Sequence, residues 1–285
     1  MTGGLLIDKP AGWTSHDVVA VVRRQLGIRA VGHAGTLDPF ATGLLVVLVG
    51  KATRLARFVE SERKTYRATV RFGIATDTDD GTGAEVARVT PGAWPERPAI
   101  ADAAHAMLGT RLQRPPAYSA KHVDGRRAYD LARRGEAVEL PPVPVTIDRL
   151  DVVSWAPPDL ELDAEVGKGT YLRAIARDLG AALGLPAHCA ALRRTAIGPH
   201  DVAEAIAPQA VTAEAVRAPA AMVSHLPRVV LDEAGRRDVG FGRAVARDGE
   251  ATGPVALMDD DGMLVAIAEA TDGRWQPVVV LEPAA

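Results

Sequence analysis

The chain has 285 residues, of which 47% are hydrophobic and 24% charged, and its formal net charge is -3 at pH 7. This composition is typical of a globular protein with a large core and excludes a disordered or fibrous chain. The single cysteine, Cys189, excludes an internal disulfide framework and fits a reducing compartment. The chain shows neither a signal-peptide pattern nor an apolar stretch long enough to span a membrane. We therefore expect a cytoplasmic protein without membrane contact.

The charge is unevenly distributed along the chain. Residues 1–76, 111–135 and 168–194 together contain 23 basic and 8 acidic residues, whereas the rest contains 10 basic and 28 acidic residues. The total charge argues against a nucleic-acid partner, but these three stretches carry a local excess of +15 that favours one. The charges alone fit equally well with arginines that cover exposed helix faces.

The first part of the chain alternates strand, helix and loop patterns. Residues 4–7 predict a short strand, and Thr14 can cap a helix that ends at Gly27. The glycine-rich segment 31–39 ends in a proline and predicts a loop. The apolar run 43–50 predicts a buried strand after it. A loop in this position would be held firmly.

The remaining elements continue this alternation. They are a short helix at 51–60, a strand at 64–72, an acidic loop at 76–83, a helix at 100–108, an extended segment at 111–121, a basic helix at 126–134, strands at 144–154 and 160–166, a helix at 173–183, a strand at 190–197 and short strands after about residue 226. Several strands are amphipathic and basic. We therefore predict the α+β class with a mostly antiparallel sheet, not a doubly wound fold.

Several common catalytic and binding motifs are missing. Gly50 and Lys51 follow a strand but lack the spacing of a phosphate-binding loop. The aspartates of segment 76–83 are out of register for a calcium loop. The histidines lack zinc-ligand spacing, and no nucleophile elbow of the hydrolase type occurs. The sequence therefore disfavours metalloenzymes and hydrolases, and we expect no metal site.

Asp38 remains as a candidate for chemistry. An Asp-Pro pair is ordinarily a turn former. Here, however, the carboxylate lies at the end of a glycine-rich loop before a buried strand, with His33 five residues earlier. Glycines let a loop approach a ligand closely, so such a loop can hold a carboxylate beside it.

The twelve residues Gly32-His33-Ala34-Gly35-Thr36-Leu37-Asp38-Pro39-Phe40-Ala41-Thr42-Gly43 resemble the catalytic motif of TruB-type tRNA pseudouridine synthases, which isomerise uridine-55 in the T loop of bacterial tRNA. The resemblance continues at residues 3–10, 12–15, 64–66, 76–79, 115–120, 167–173 and 192–194. It implies a pseudouridine synthase fold, with a catalytic domain at 1–225 and a small β-rich, PUA-like domain at 226–285. It also implies an isomerase that needs no cofactor.

The resemblance implies roles for three residues in the reaction. Asp38 would be the nucleophile and Arg173 its cationic partner, whose forked guanidinium can hold a carboxylate at two points. Tyr66 would stack on the target base and take part in proton transfer. Attack on the sugar, attack on the pyrimidine ring and elimination to a glycal all remain open.

Further residues are implied in RNA binding. His33 would lie against the RNA as the base flips out, by stacking or by protonation, and Leu192 would wall the pocket. Asp77 and Asp79 would accept hydrogen bonds from sugar hydroxyls or bases. The candidates for phosphate contacts are Lys9, Lys64, Arg114 and Lys121, with Arg23, Arg24, Arg111, Arg126 and Arg127.

We expect the T stem-loop of tRNA as the partner, and a monomer that requires no protein partner. Residues 226–285 are acidic, so a structural role and a contact with the acceptor end of tRNA both remain open. A non-catalytic tRNA-binding or tRNA-folding module on the same scaffold is the main alternative function. An RNA-guided ribonucleoprotein synthase is a second alternative, for which longer basic tails would be expected.

Overall fold

A computed structural model describes residues 1–60, 62–118, 122–123, 126–127, 140–247 and 251–282, with the backbone alone at 122–123 and 126–127. Its helices are α1 (Ser15–Leu26), α2 (Ala56–Glu60), α3 (Arg97–His105), α4 (Leu172–Ala182), α5 (Pro219–Met222) and α6 (Glu233–Gly240). Turns of 3-10 helix occupy Gly50–Leu55, Val202–Glu204 and Pro208–Ala210.

The strands form one large sheet, one smaller sheet and two short hairpins. They are β1 (Gly3–Lys9), β2 (Val31–Ala34), β3 (Thr42–Val49), β4 (Lys64–Phe72), β5 (Ile74–Thr76), β6 (Glu85–Arg88), β7 (Gly109–Gln113), β8 (His122–Val123), β9 (Arg126–Arg127), β10 (Val143–Ala156), β11 (Asp159–Val166), β12 (Ala187–Ile197), β13 (His200–Asp201), β14 (Arg228–Val230), β15 (Val245–Ala246), β16 (Val255–Met258), β17 (Leu264–Thr271) and β18 (Arg274–Val280).

The large sheet is mixed and mostly antiparallel. Its strand order is β1-β3-β12-β4-β11-β10-β7, with β2 added to β3 and β13 added to β12. Strands β12 and β3 run parallel, and the other pairs of this sheet in the described residues are antiparallel. The predicted α+β class is therefore confirmed. The parallel pair places the end of β12 beside the start of β3, directly after the loop that carries Asp38.

Helix α1 shows why the local sequence predicted its ends correctly. Thr14 accepts a hydrogen bond from the backbone of Asp17, and the Asp17 carboxylate accepts one from the backbone of Thr14. This capping box satisfies amides that the first turn leaves without partners. Gly27 adopts a φ of 65° and ends the helix.

Two predicted elements differ in the structure. Residues 31–39 do not form a loop throughout, because Val31–Ala34 pair with β3 as the short strand β2. A strand of four residues that contains Gly32 and precedes Gly35 has too weak a pattern to be recognised locally. A basic helix was predicted at 126–134, but its first two residues form the strand β9, which pairs with β8. Residues 128–134 lie outside the described residues.

The second sheet has the order β14-β16-β17-β18-β15 and packs with α6 around Trp275. An apolar cluster joins it to the large sheet, since Met258 and Ile267 belong to the same core as Leu48 and Phe58. The C-terminal β-rich unit predicted from the sequence is thus present, while its boundary at residue 226 stays a prediction. In the part of the chain that the structure describes, no helix has the length and hydropathy to cross a bilayer.

Candidate functional site

The segment between β2 and β3, residues 35–41, carries Asp38 and is defined here as the Asp38 loop. Neighbouring elements hold its backbone: the amide of Leu37 donates to Ser15 Oγ at 3.0 Å, and the amide of Gly12 donates to the carbonyl of Pro39 at 2.8 Å. Gly35 opens the loop with a φ of 79°, which favours glycine. The loop therefore places the Asp38 side chain without using that side chain to stabilise itself.

Asp38 faces an arginine at the start of α4. Arg173 Nε lies 3.0 Å from Asp38 Oδ2, and the side chain of Arg173 is 4% exposed while that of Asp38 is 35% exposed. The other two guanidinium nitrogens donate to the carbonyl oxygens of Thr78 and Tyr118, both at 2.8 Å. Arg173 is thus fixed by the protein, and one edge of its guanidinium remains for Asp38.

Asp80 completes this charge network from the opposite side. Its Oδ2 lies 3.2 Å from Arg173 Nη1, and its Oδ1 accepts hydrogen bonds from the hydroxyls of Thr78 and Thr82. Asp80 is buried and does not line the cavity beside Asp38. Asp80 contacts the site through Arg173, whose guanidinium forms ion pairs with both Asp80 and Asp38.

The charge of Asp38 depends on opposing effects. Burial raises the pKa of Asp38 above the ordinary value of an aspartate, Arg173 lowers it, and the nearby carboxylate of Asp80 raises it. Lys9 lowers it as well, with a smaller effect. A carboxylate of this kind is more basic than one in water, while Arg173 still favours its ionised form.

Beside Asp38 opens a cavity of about 370 Å³. Its apolar lining comes from Leu37, Tyr66, Leu172 and Leu192. The charged residues that line it are Asp38, Glu60, Lys64, Lys168, Arg173 and Arg194. The structure therefore brings Asp38, Tyr66, Arg173 and Leu192 together although they lie up to 154 positions apart in the sequence. A flat ring could enter between the apolar walls and meet the carboxylate.

His33 lies on β2 and is not among the residues that line this cavity. Its ring packs edge to face with His16 at a centroid distance of 5.5 Å. Burial lowers the pKa of His33, and His16 lowers it further. Both effects favour the neutral form of this half-buried imidazole.

Asp77 is hydrogen-bonded at the edge of its own loop, and Asp79 pairs with an arginine of α4. Asp77 Oδ1 accepts from the amide of Ala84 at 2.8 Å, and Asp79 Oδ2 lies 2.8 Å from Arg177 Nη1. Burial raises the pKa of Asp79, while Arg177 lowers it. The sequence pattern pointed to these two aspartates and missed Asp80. Spacing alone does not show which of the three neighbouring carboxylates turns inward. The sequence signal that could have identified Asp80 is its position between Thr78 and Thr82, whose hydroxyls can donate to a buried carboxylate.

Two of the lysines predicted to contact phosphate are buried. Lys9 is 0% exposed and donates to the carbonyls of Pro10, Trp13 and Pro39, so its ammonium has no surface for an RNA phosphate. Lys64 donates to the carbonyls of Glu60 and Glu62 at the edge of the cavity. Burial lowers the pKa of each lysine to about 8. Lysines at the ends of strands suggest a basic surface in the sequence, but here Lys9 and Lys64 stabilise loops.

The other basic candidates divide into two groups. Arg23, Arg24 and Arg114 are exposed, and Arg111 is half-buried. The side chains of Lys121, Arg126 and Arg127 lie outside the described residues. Among the described residues, no group of three or more histidine, cysteine, aspartate or glutamate side chains could hold a metal ion.

Three family models match successive parts of the chain. The family model "TruB family pseudouridylate synthase (N terminal domain)" matches residues 23–172. Two further models follow it: "tRNA pseudouridylate synthase B C-terminal domain" at 173–232 and "tRNA Pseudouridine synthase II, C terminal" at 226–282. Together these matches extend from α1 to the end of the second sheet.

Relatives named tRNA pseudouridine synthase B match almost the whole chain. The protein from Thermobifida fusca is 44% identical over 98% of this chain and 98% of its own length. That from Gloeobacter violaceus is also 44% identical, over 99% of both chains. The protein from Arthrobacter sp. (strain FB24) is 42% identical over 99% of this chain and 97% of its own.

Solved structures show the same fold. A chain of a Cbf5-Nop10-Gar1 complex has a TM-score of 0.77 and 25% identity, covering 99% of this chain and 85% of that chain. A chain of the archaeal box H/ACA sRNP Nop10-Cbf5 complex has a TM-score of 0.75 and 23% identity, covering 99% and 86%. The fold, the family models and the near full-length relatives agree, and the chain belongs to the TruB family of pseudouridylate synthases.

Proposed function

We propose that this protein is a tRNA pseudouridine synthase that converts uridine-55 of the T loop to pseudouridine. The observation that carries the proposal is the Asp38 carboxylate, held 3.0 Å from Arg173 at the side of a cavity with apolar walls. The relatives named tRNA pseudouridine synthase B support tRNA as the substrate. The reaction is an isomerisation, so it consumes no oxidant, reductant or metal.

The proposed reaction breaks the bond between ribose C1′ and N1 of uracil, turns the base and joins C5 to C1′. The proton on C5 is then lost and N1 regains one, so atoms balance. Asp38 would stabilise or trap the electron-poor intermediate, as a carboxylate does in glycoside cleavage. Attack at C1′, attack on the ring and elimination to a glycal each use an ionised carboxylate in this position. Arg173 supports that ionised state.

The target base must leave its stack to reach Asp38. Tyr66 and Leu192, which are both largely buried, would receive the flipped uracil, with the tyrosine as the stacking partner. Stacking of a base on an aromatic ring stabilises by about 1–3 kcal/mol, which offsets part of the cost of unstacking. Tyr66 also carries the phenol that could transfer the C5 proton.

We further propose that exposed cations bind the phosphates of the T stem-loop, with Arg24 and Arg114 as the candidates whose exposure fits. Lys121, Asp77, Asp79 and His33 remain candidates for RNA contacts at the edges of the site. The proposed division is a catalytic domain at 1–225 and a PUA-like domain at 226–285. We propose a cytoplasmic monomer whose partner is tRNA and that requires no protein partner.

The test uses the full-length protein and a transcript of the T stem-loop. The wild type is expected to convert the target uridine, detected by base-resolved pseudouridine mapping. Asp38→Asn keeps the shape of the side chain but removes its charge, so it should bind the transcript and show no turnover. Conversion by Asp38→Asn at the wild-type rate would rule out the role of Asp38. Binding without conversion by the wild type would instead favour the non-catalytic tRNA-folding module.

A further inference from the structure

Arg194, two residues after Leu192 on β12, is a buried cation that the reaction described above does not use. It is 1% exposed, and its guanidinium donates to backbone carbonyls alone among the described residues. Nε donates to Leu44 at 2.7 Å, Nη2 to Gly35 at 2.9 Å and Nη1 to Thr36 at 3.5 Å. Gly35 and Thr36 open the Asp38 loop and Leu44 lies just after it. One side chain therefore joins the two ends of this loop.

The backbone of Arg194 is fixed at the same place. In the large sheet it pairs with Tyr66 of β4 on one side and with Gly43 of β3 on the other. A Cβ atom on Gly43 would lie 2.2 Å from the carbonyl oxygen of Arg194, and Gly43 has a φ of 99°. Only glycine permits this approach. The sheet therefore fixes the backbone of Arg194, from which the guanidinium extends to the Asp38 loop.

Stability alone does not account for a charge at this position. No carboxylate of the described residues forms an ion pair with Arg194, and the nearby ammonium of Lys64 is a second buried cation whose pKa Arg194 helps to lower. Taking a guanidinium out of water is costly, and an apolar side chain of similar volume often gives equal or higher stability. The fixed fork of donors, however, matches three carbonyls in a way that lysine cannot.

We propose that Arg194 is a positioning residue for the isomerisation: it holds the Asp38 loop so that the carboxylate keeps its place opposite Arg173 and beside the cavity. The inference rests on the proposed function, since it concerns the placement of the group that reacts. Arg194 touches no reacting atom. Its effect passes through the carbonyls of Gly35, Thr36 and Leu44.

The test compares Arg194→Lys and Arg194→Gln with the wild type. Displacement of a reacting group by about 1 Å can cost about 100-fold in rate, so kcat of Arg194→Lys should fall by about that factor. KM and the Kd for the T stem-loop transcript should stay unchanged, because the RNA surface is untouched. Arg194→Gln, which keeps an amide donor but neither the charge nor the fork, should be slower than Arg194→Lys. If Arg194→Gln does not fold, Arg194→Lys decides.

Arg71→Lys is the matched control. Arg71 lies on β4, forms a two-point ion pair with Asp159 and does not line the cavity beside Asp38. The same chemical change there should leave kcat unaltered. Equal losses of kcat in Arg71→Lys and Arg194→Lys, or a wild-type kcat in Arg194→Lys, would overturn the proposal, as would a loss that appears in Kd instead of kcat.

Hydrogen exchange gives a readout that does not depend on activity. The amides of Gly35, Leu37 and Ala41 are hydrogen-bonded in the folded protein, to Glu60, Ser15 and the carbonyl of Asp38 respectively. They should exchange faster in Arg194→Lys and not in Arg71→Lys. Unchanged exchange would overturn the positioning role. Failure of the wild type to convert uridine would contradict the proposed function, whereas the exchange result would still decide the role of Arg194.

Discussion

Two loops of this protein carry aspartates between glycines, and they use them in opposite ways. The Asp38 loop is held from outside, by Ser15, Gly12 and the carbonyl contacts of Arg194, and its carboxylate faces a cavity. The second loop, residues 76–83, is also held from outside, by backbone hydrogen bonds to Cys189 of β12, but its carboxylates are occupied. Asp77 and Asp80 accept hydrogen bonds from that loop and its edge, and Asp79 and Asp80 pair with arginines of α4.

The difference shows what makes a loop carboxylate available for chemistry. A side chain that stabilises its own turn has its oxygens occupied, whereas Asp38 pairs with Arg173 and still presents its carboxylate to the cavity. Asp80 connects the two loops because it also pairs with Arg173, the partner of Asp38. The comparison therefore predicts that changes near Asp38 alter the rate most, while changes in the second loop act only through Arg173 or through the charge of Asp80.

Arg173→Lys is expected to have the largest effect. A lysine cannot reach Asp38, Asp80 and two carbonyls at once, so the carboxylate loses its fixed partner and kcat should fall by roughly 100-fold or more. Single-turnover conversion of the T stem-loop transcript measures this. Arg177→Lys, one turn later on α4 and paired with Asp79, is the control and should lose little. A similar loss in both variants would show that the helix as a whole, and not the contact with Asp38, matters.

Asp80→Asn should have a smaller effect of the same kind. It keeps the size of the side chain but removes one charge from the network that orients Arg173. Hydrogen bonds to charged groups contribute about 1.5–3 kcal/mol, which corresponds to roughly 10- to 100-fold in kcat if the loss is felt at the reaction. Affinity for the transcript, measured by filter binding, should be retained. A wild-type kcat in Asp80→Asn would show that Asp80 of the second loop does not affect the reaction at Asp38.

The pH dependence of the rate should reveal the link between the loops. Burial raises the pKa of Asp38, so activity should be lost on acidification at a higher pH than for an ordinary aspartate. The charge of Asp80 raises the pKa of Asp38 further. In Asp80→Asn, the acidic limb of the plot of rate against pH should therefore move to lower pH. Single-turnover rates at saturating transcript across the acidic range test this. A limb that moves to higher pH in Asp80→Asn would contradict the electrostatic account.

Asp77→Ala should have the smallest effect. The exposed carboxylate accepts one hydrogen bond, from the amide of Ala84, so its loss should lower the free energy of unfolding by about 0.5–1.5 kcal/mol without changing kcat. Denaturant unfolding and the conversion assay measure the two quantities. A marked loss of affinity for the transcript would support the RNA contact that the sequence predicted for Asp77.

Much of the fold could be predicted because its signals are local. Thr14 and Gly27 predicted the ends of α1, the apolar run at 43–50 predicted β3, and the alternation at 64–72 predicted β4. The edge strand β2 could not be predicted in this way, because it forms only through pairing with β3. The inward turn of Lys9 depends likewise on carbonyls that lie on separate segments of the chain.

The sequence by itself determined the family of the chain and the residue types of its candidate site, because one contiguous motif around Asp38 carries most of that information. The pair of Asp38 with Arg173 was expected from the resemblance, but only the tertiary structure decided the other contacts of the buried charges. It chose Asp80 over Asp77 and Asp79 as the partner of Arg173, buried Lys9 and Lys64, and placed Arg194 beneath the Asp38 loop. The physical reason is that the energy of a charge depends on its burial and its neighbours, and both are set by contacts between distant segments.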